Sequence, residues 1–420
     1  MTLARTWAVA LNGLAGQLVA VEADLAAGLP GTTVIGMGDA AVTQARDRIR
    51  AAVLNSGHKW PDRRITLALS PAALPKRGAG YDIALAIAVL AAAGVVPSVA
   101  PGQTVLIGEL GLDGQVRPVR GVLPALLAAR SAGRERAIVP LANLAEAALA
   151  TGMAVWGVAS LGELVASFKG EIDALITGFP ALSVGVQPIA DLADVLGQPE
   201  ARLALEFAAA GGHHLAMIGP PGAGKTMLAT RLPGVLPMLN DEQALEVTAV
   251  HSVAGTLDDD TPLVTRPPFV DPHHSASLAA VVGGGSAHIR PGSVSLAHRG
   301  VLFLDEAHET KYTHRVSLGI RRGLARQRFE ENNIRPRCVE ICRYEKGSGR
   351  TGADALAGLL SRSTSRRAKS IADDQQWRPP PQLLARRGTK CHRPSAVLRP
   401  RFKLGTLVGP VSSHGGMMAV

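Results

Sequence analysis

The stretch that most constrains how this chain can fold is Gly219-Pro220-Pro221-Gly222-Ala223-Gly224-Lys225-Thr226, which matches G-x-x-x-x-G-K-[ST] in full. Its flanks agree with the motif. His214-Leu215-Ala216-Met217-Ile218 is an apolar strand that feeds directly into the glycines, and a helix is expected over 225–232, limited by Pro233. A strand, a glycine-rich loop and a helix in that order belong to a sheet with helices packed on its faces, so at least this part of the chain is α/β. The glycines let backbone N–H groups turn inward around phosphate oxygens, and the helix start adds the positive end of its dipole. Gly219, Pro220, Pro221, Gly222, Ala223, Gly224, Lys225, Thr226 and the following Met227 are therefore the expected nucleotide-binding residues. Lys225 is expected to neutralise the β and γ phosphates of ATP, and the Thr226 hydroxyl to ligate Mg2+.

A second motif follows 80 residues after Lys225. Val301-Leu302-Phe303-Leu304-Asp305-Glu306 reads as a buried strand ending in two carboxylates. Asp305 is expected in the magnesium shell, and Glu306 is placed to orient and deprotonate the attacking water. Apolar runs ending in Asp-Glu are common, so this motif gains its force from the first. Between the two lie Pro272-His273-His274-Ser275, Gly283-Gly284-Gly285-Ser286 and Arg290-Pro291-Gly292. His273, His274, His288 and His298 raise the question of a metal, but adjacent histidines in an extended segment chelate one ion poorly. A glycine-rich hairpin is the preferred reading.

Charge divides the chain. Residues 311–420 hold 23 Lys and Arg against 7 Asp and Glu, so the overall net charge of +10 is a property of that end and not of the motif-bearing part. Cys338, Cys342 and Cys391 also lie there. Three thiols make neither a disulfide framework nor, without His392, a four-ligand zinc set. The longest apolar run, about 83–96, is short of the ~20 residues of a membrane span. Residues 1–7 lack the pattern of a signal peptide, so a cytoplasmic location with no membrane partner is the expectation.

The first 170 residues alternate strand-like and helix-like segments. Residues 7–11 and 17–21 read as a hairpin. Further strands are expected at 32–36, 64–69 and 104–108. A helix over 39–55 carries Arg46, Arg48 and Arg50 on its polar side, and a nearly all-apolar, buried helix spans 81–93. Residues 171–189 read as a linker. Past about residue 310 no sustained apolar period of 2 or 3.6 remains, which fits a disordered basic tail.

Several segments together resemble the magnesium-chelatase-like AAA+ family, in its YifB/ComM group. They are Asp191-Leu192-Ala193-Asp194-Val195-Leu196-Gly197-Gln198, the glycine-rich loop, Leu245-Glu246-Val247-Thr248-Ala249-Val250-His251-Ser252-Val253-Ala254-Gly255, the Pro-His-His segment, and Ser295 through Glu306. The resemblance covers about residues 3–306. It implies an ATPase that forms homo-oligomeric rings and, for this group, acts as a motor on DNA. A chelatase-type ion-insertion subunit and an inactive nucleotide-binding remnant are the alternatives. The first section resembles the C-terminal domain of Lon proteases. Pro75-Lys76-Arg77-Gly78-Ala79-Gly80-Tyr81-Asp82 matches the segment of the nucleophilic serine, with Gly80 at that position, and Leu123 stands where the catalytic lysine would be. The resemblance thus implies a non-proteolytic scaffold, because neither nucleophile nor base is present. Lys76, Arg77, Arg117 and Arg120 are candidates for phosphate contacts or are simply solvated.

After Ala307 the sensor asparagine, arginine finger and helical lid that such a resemblance implies are not found. The Arg/Ser/Pro-rich sequence beyond is what GC-rich coding DNA gives in a shifted frame, and a divergent tail is the alternative. The expected organisation is a Lon-like α/β domain (1–170), a linker (171–189), an incomplete AAA+ P-loop α/β core (190–309) and a basic tail (310–420), disordered or out of frame.

Overall fold

The computed structural model describes residues 3–36, 38–172, 176–177, 190–258, 262–284, 290–305, 337–343 and 417–419. The chain begins with the expected hairpin. Strands β1 (Leu3–Asn12) and β2 (Ala15–Ala26) pair antiparallel through a two-residue turn, with Asn12 opposite Ala15. Gly13 supplies the positive φ of 63° that the tight turn needs. Burial alternates along β1, as period-2 side-chain placement requires.

Strands β3 (Gly31–Ile35), β4 (Arg64–Ser70), β5 (Val105–Leu106), β8 (Arg136–Pro140), β9 (Ala154–Val158) and β10 (Ile176–Thr177) complete an eight-stranded mixed sheet. Its order is β10-β9-β8-β5-β1-β2-β4-β3. Two short strands, β6 (Glu109–Leu110) and β7 (Val116–Arg117), form a separate ribbon. The edge strand β10 lies within the stretch expected as a linker, where it pairs antiparallel with Trp156 and Gly157.

Helices α1 (Ala40–Asn55), α2 (Asp82–Ala92), α3 (Val99–Gln103), α4 (Val122–Ser131), α5 (Leu144–Ala147) and α6 (Leu161–Lys169) connect these strands. Asp39 caps α1, accepting from Val42 N at 3.0 Å, and its other oxygen accepts from Gly78 N at 3.0 Å. Every residue of α2 is buried, which explains its nearly continuous apolar sequence. It packs with Ala4, Ala8 and Ala10 of β1 in one core, and small side chains on both sides bring helix and strand close. Trp7, Val9 and Leu11 face the opposite core, built around Val122, Leu123 and Leu126 of α4. The sheet is thus covered on both faces.

Arg48 does not behave as a solvated residue of the polar face of α1. Its Nε and Nη2 donate to Asp82 Oδ2 and Oδ1 at 2.8 and 3.0 Å, and Leu110 N donates to Oδ2 at 3.2 Å. Burial pushes the Asp82 carboxyl up to about 6, against the opposing pull of Arg48. A folded pKa above the unfolded one contributes stability that is complete below the ordinary carboxylate pKa and is lost as pH rises through about 6. The unfolding free energy in urea is therefore expected to gain about 1 kcal/mol from Asp82 between about pH 7 and pH 5. Asp82→Asn should remove that contribution, and an unchanged pH slope in Asp82→Asn would refute the assignment.

The second sheet is all parallel. Strands β11 (His214–Gly219), β12 (Phe269–Val270), β15 (Val301–Leu304), β16 (Arg337–Arg343) and β17 (Met417–Ala419) run in the order β12-β15-β16-β11-β17. Of residues 310–420, only β16 and β17 are among the described residues, so the expectation of a disordered basic tail falls otherwise outside them. The glycine-rich insertion forms a hairpin of β13 (Gly283–Gly284) and β14 (Arg290–Pro291). Helices α7 (Pro199–Gly211), α8 (Lys225–Ala229), α9 (Leu232–Val235), α10 (Asp241–Ala254), α11 (Leu278–Val282) and α12 (Ser293–Leu296) accompany this part. Its core joins Leu205 and Ala208 of α7, Leu215 and Met217 of β11, Leu228 of α8, and Val301 and Phe303 of β15.

Candidate nucleotide-binding site

The glycine-rich loop follows the C-terminal end of β11. Gly222 and Gly224 hold φ of +76° and +83°, the left-handed region in which a Cβ is disfavoured. Ala223 N bonds back to Pro220 O at 3.2 Å and closes the turn. Lys225 arches over the loop, its Nζ donating to Gly219 O at 2.9 Å and Pro220 O at 3.0 Å. Gly219 is buried, while Pro220, Pro221, Thr226 and Met227 are exposed. Helix α8 ends at Ala229, earlier than expected. Pro233 has no N–H for the Ala229 carbonyl and its ring crowds that turn, so the chain breaks and starts α9, with Pro233 in its first turn.

β15 carries Asp305 to the same edge of the sheet. Val301, Leu302 and Phe303 are buried, and Asp305 follows them as an exposed residue. Phe303 and Leu215 share Val339 of β16 as their partner, and Leu304 and Ala216 share Glu340. Asp305 is therefore level with Met217, two residues before the loop begins at Gly219. Glu306 lies outside the described residues. The Thr226 hydroxyl and the Asp305 carboxylate are hard oxygen donors. They fit Mg2+, which retains several waters and takes phosphate oxygens rather than a full protein cage.

Three further sets of contacts, of which the first reaches the loop itself, were not expected from the sequence. Gln198 precedes α7 and donates from Nε2 to Ala223 O of the loop at 3.0 Å. Glu246 of α10 accepts from Arg299 Nε at 3.0 Å and from His298 Nε2 at 3.2 Å, which ties α10 to the segment entering β15. At the other end of α10, Ser252 Oγ donates to the buried Glu146 of the first unit, and Gly121 N donates to Ser252 O at 3.2 Å. Leu123 N also donates to Glu146 at 2.8 Å. Burial raises the Glu146 pKa, and its three hydrogen-bond donors oppose the rise. Ala249 and Leu245 of α10 enter the core of the first unit. One helix thus touches both sheets' surroundings. The signal available beforehand was the segment 245–255 itself, whose apolar and polar positions are mixed because both faces are used.

In the first unit, Gly80 and the fully buried Leu123 occupy the positions matched to a serine and a lysine, and neither side chain can attack or accept a proton. Lys76 is withdrawn from the set of phosphate candidates. It is fully buried, its Nζ donates to Pro71 O, and burial lowers its pKa. A lysine without access to solvent has no surface to offer a phosphate. Arg77, Arg117 and Arg120 remain exposed.

Two family profiles match. The profile described as magnesium chelatase, subunit ChlI, matches residues 191–331, and that described as subunit ChlI of Mg-chelatase matches residues 21–143. An uncharacterized protein of Mycobacterium tuberculosis is 57% identical over 309 residues, covering 74% of this chain and 61% of its own length. The uncharacterized protein YifB of Escherichia coli is 42% identical over 309 residues, 74% of this chain and 60% of that one. Competence protein ComM of Haemophilus influenzae is 41% identical over 313 residues, 74% and 61%. The chain thus spans about 60% of the length of these relatives. A Lon protease of Mycolicibacterium smegmatis is 30% identical over 146 residues, 32% of this chain and 18% of that one. Among the described residues, no helix is long and apolar enough to cross a membrane. With a Lon-like first unit, an all-parallel sheet bearing the glycine-rich loop, and these matches across both, the chain belongs to the magnesium-chelatase-like AAA+ ATPase family, in the group of YifB and ComM.

Proposed function

We propose that this chain binds ATP with Mg2+ at Gly219–Thr226 and Asp305, as part of a ring-forming ATPase that works on DNA. The observation that carries the reading is the placement of a complete glycine-rich loop and a strand-end carboxylate at one edge of a parallel sheet. The loop's N–H groups and the Lys225 ammonium neutralise phosphate charge. Thr226 and Asp305 hold the cation, which when bound would draw charge from the β and γ phosphates. Glu306, next in sequence, orients the attacking water. Work on DNA is supported by the competence protein among the relatives. Ion insertion of the chelatase type is the second reading, supported by the description of the two matching profiles.

Titration calorimetry with ATP and Mg2+ tests the first step. Lys225→Ala removes charge-assisted contacts worth about 1.5–3 kcal/mol, so affinity is expected to fall by one to two orders of magnitude. Equal affinity of wild type and Lys225→Ala would overturn the assignment.

A further inference from the structure

Gln198 combines an unfavourable backbone, a half-used buried amide and a contact to the phosphate-binding loop. Its φ and ψ are both 50°, in the left-handed region that side chains other than Asn, Asp and Gly rarely adopt. The side chain does not cap α7, whose start it occupies. It instead crosses to a residue 25 positions later and donates from Nε2 to Ala223 O at 3.0 Å. Its Oε1 is buried and has no hydrogen-bond partner among the described residues. A flipped amide would set Oε1 against the Ala223 carbonyl, acceptor facing acceptor, so the donor orientation is the one the site permits. Backbone strain and an unsatisfied buried oxygen held together in one residue mark a constraint that the fold of α7 does not itself require.

The peptide that Gln198 grips joins Ala223 to Gly224. In a trans peptide the carbonyl and the N–H point in opposite directions. Holding Ala223 O toward Gln198 therefore turns Gly224 N–H away from it, to the side where an anion must lie if that N–H is to donate. The same amide packs against Gly224, where a Cβ would stand 3.2 Å from Nε2. Gly222 and Gly224, on either side of Ala223, leave that peptide free to rotate, and within the loop Ala223 O has no other bond that fixes it.

We infer that Gln198 is a positioning residue of the phosphate-binding loop: it fixes the Ala223–Gly224 peptide so that the loop's N–H groups face the phosphates before the nucleotide arrives. The inference rests on the reading of Gly219–Thr226 as an anion-binding loop. It places the effect on the phosphate chain and not on the base.

The full chain is titrated with ATP and, separately, with inorganic tripolyphosphate, both with Mg2+. Gln198→Gly removes the side chain and relieves the left-handed backbone, so it is the variant expected to fold as well as the wild type. Gln198→Glu keeps the shape and loses the donor. Both are expected to bind ATP and tripolyphosphate at least about fivefold more weakly, by the same factor for the two ligands; Gln198→Gly does so with no fall in the ligand-free melting temperature, whereas Gln198→Glu, which sets a carboxylate against the Ala223 carbonyl, melts lower. Wild-type affinity in either variant overturns the inference, and so does a loss confined to ATP, which would place Gln198 at the base. A wild-type chain that binds neither ligand, like Lys225→Ala, sinks the anion-loop reading itself. Binding by wild type that is unchanged in the Gln198 variants sinks only the role of Gln198.

Discussion

Arg48→Ala is expected to lower the unfolding free energy of the first unit by about 3 kcal/mol near neutral pH, the usual cost of breaking a buried ion pair from one side. Asp82 has a fully buried side chain, and the 21% exposed Arg48 is its only cationic partner among the described residues. Without Arg48, Asp82 keeps one backbone donor, Leu110 N. The carboxyl must then either stay charged in an apolar surrounding or take up a proton, and both are costly at pH 7. The loss should shrink as pH falls below about 6, because a protonated Asp82 no longer needs a cation. Urea unfolding at two pH values measures this directly. Arg48→Met combined with Asp82→Leu should recover most of the loss, since a matched apolar pair removes the stranded charge. A single-variant loss under about 0.5 kcal/mol, or one independent of pH, would show that the pair contributes little.

Gly300→Ala is expected to cost about 3 kcal/mol and to disturb the nucleotide site at the same time. A Cβ at Gly300 would stand 2.6 Å from Pro268 Cδ and 2.7 Å from Pro268 N, and nearer still to Pro268 O. That carbonyl accepts from Val301 N at 2.7 Å, and Phe269 pairs with Val301 in the next step of the ladder. The obstacle is backbone, so no side-chain rotation relieves it. β12 and β15 would have to separate, loosening the stacked rings of Phe269 and Phe303, whose centroids are 5.6 Å apart. β15 also positions Asp305, so the Mg2+ dependence of ATP affinity should weaken along with the melting temperature. Gly133→Ala is the control. Its φ is +77° with open space around it, which isolates a backbone cost of about 1 kcal/mol. A Gly300→Ala protein that melts like Gly133→Ala would show that the strands give way easily.

The sequence by itself determined the parts of this protein that are written locally. A full eight-residue motif with its flanks located the glycine-rich loop between β11 and α8, because each residue's requirement is met by neighbours a few positions away. Alternation found the opening hairpin, and a run of apolar residues found α2. Gly80 and Leu123, by identity alone, offer neither nucleophile nor base at the positions matched to the Lon serine and lysine. Only the tertiary structure decided the rest. It found strand β10 in an expected linker, since a two-residue antiparallel edge strand is too short to show a period, and β16 in a stretch without periodicity, since the parallel partners of that strand come from far along the chain. It buried Lys76, took Arg48 out of the solvated face to meet Asp82, joined α10 to both Glu146 and Arg299, and brought Gln198 to Ala223. In all of these but Lys76, which bonds Pro71 O within its own connecting segment, a polar side chain takes its partner from another part of the chain. Propensity and periodicity carry no information about such a pairing, because it exists only once the packed layers set two distant segments within hydrogen-bond reach.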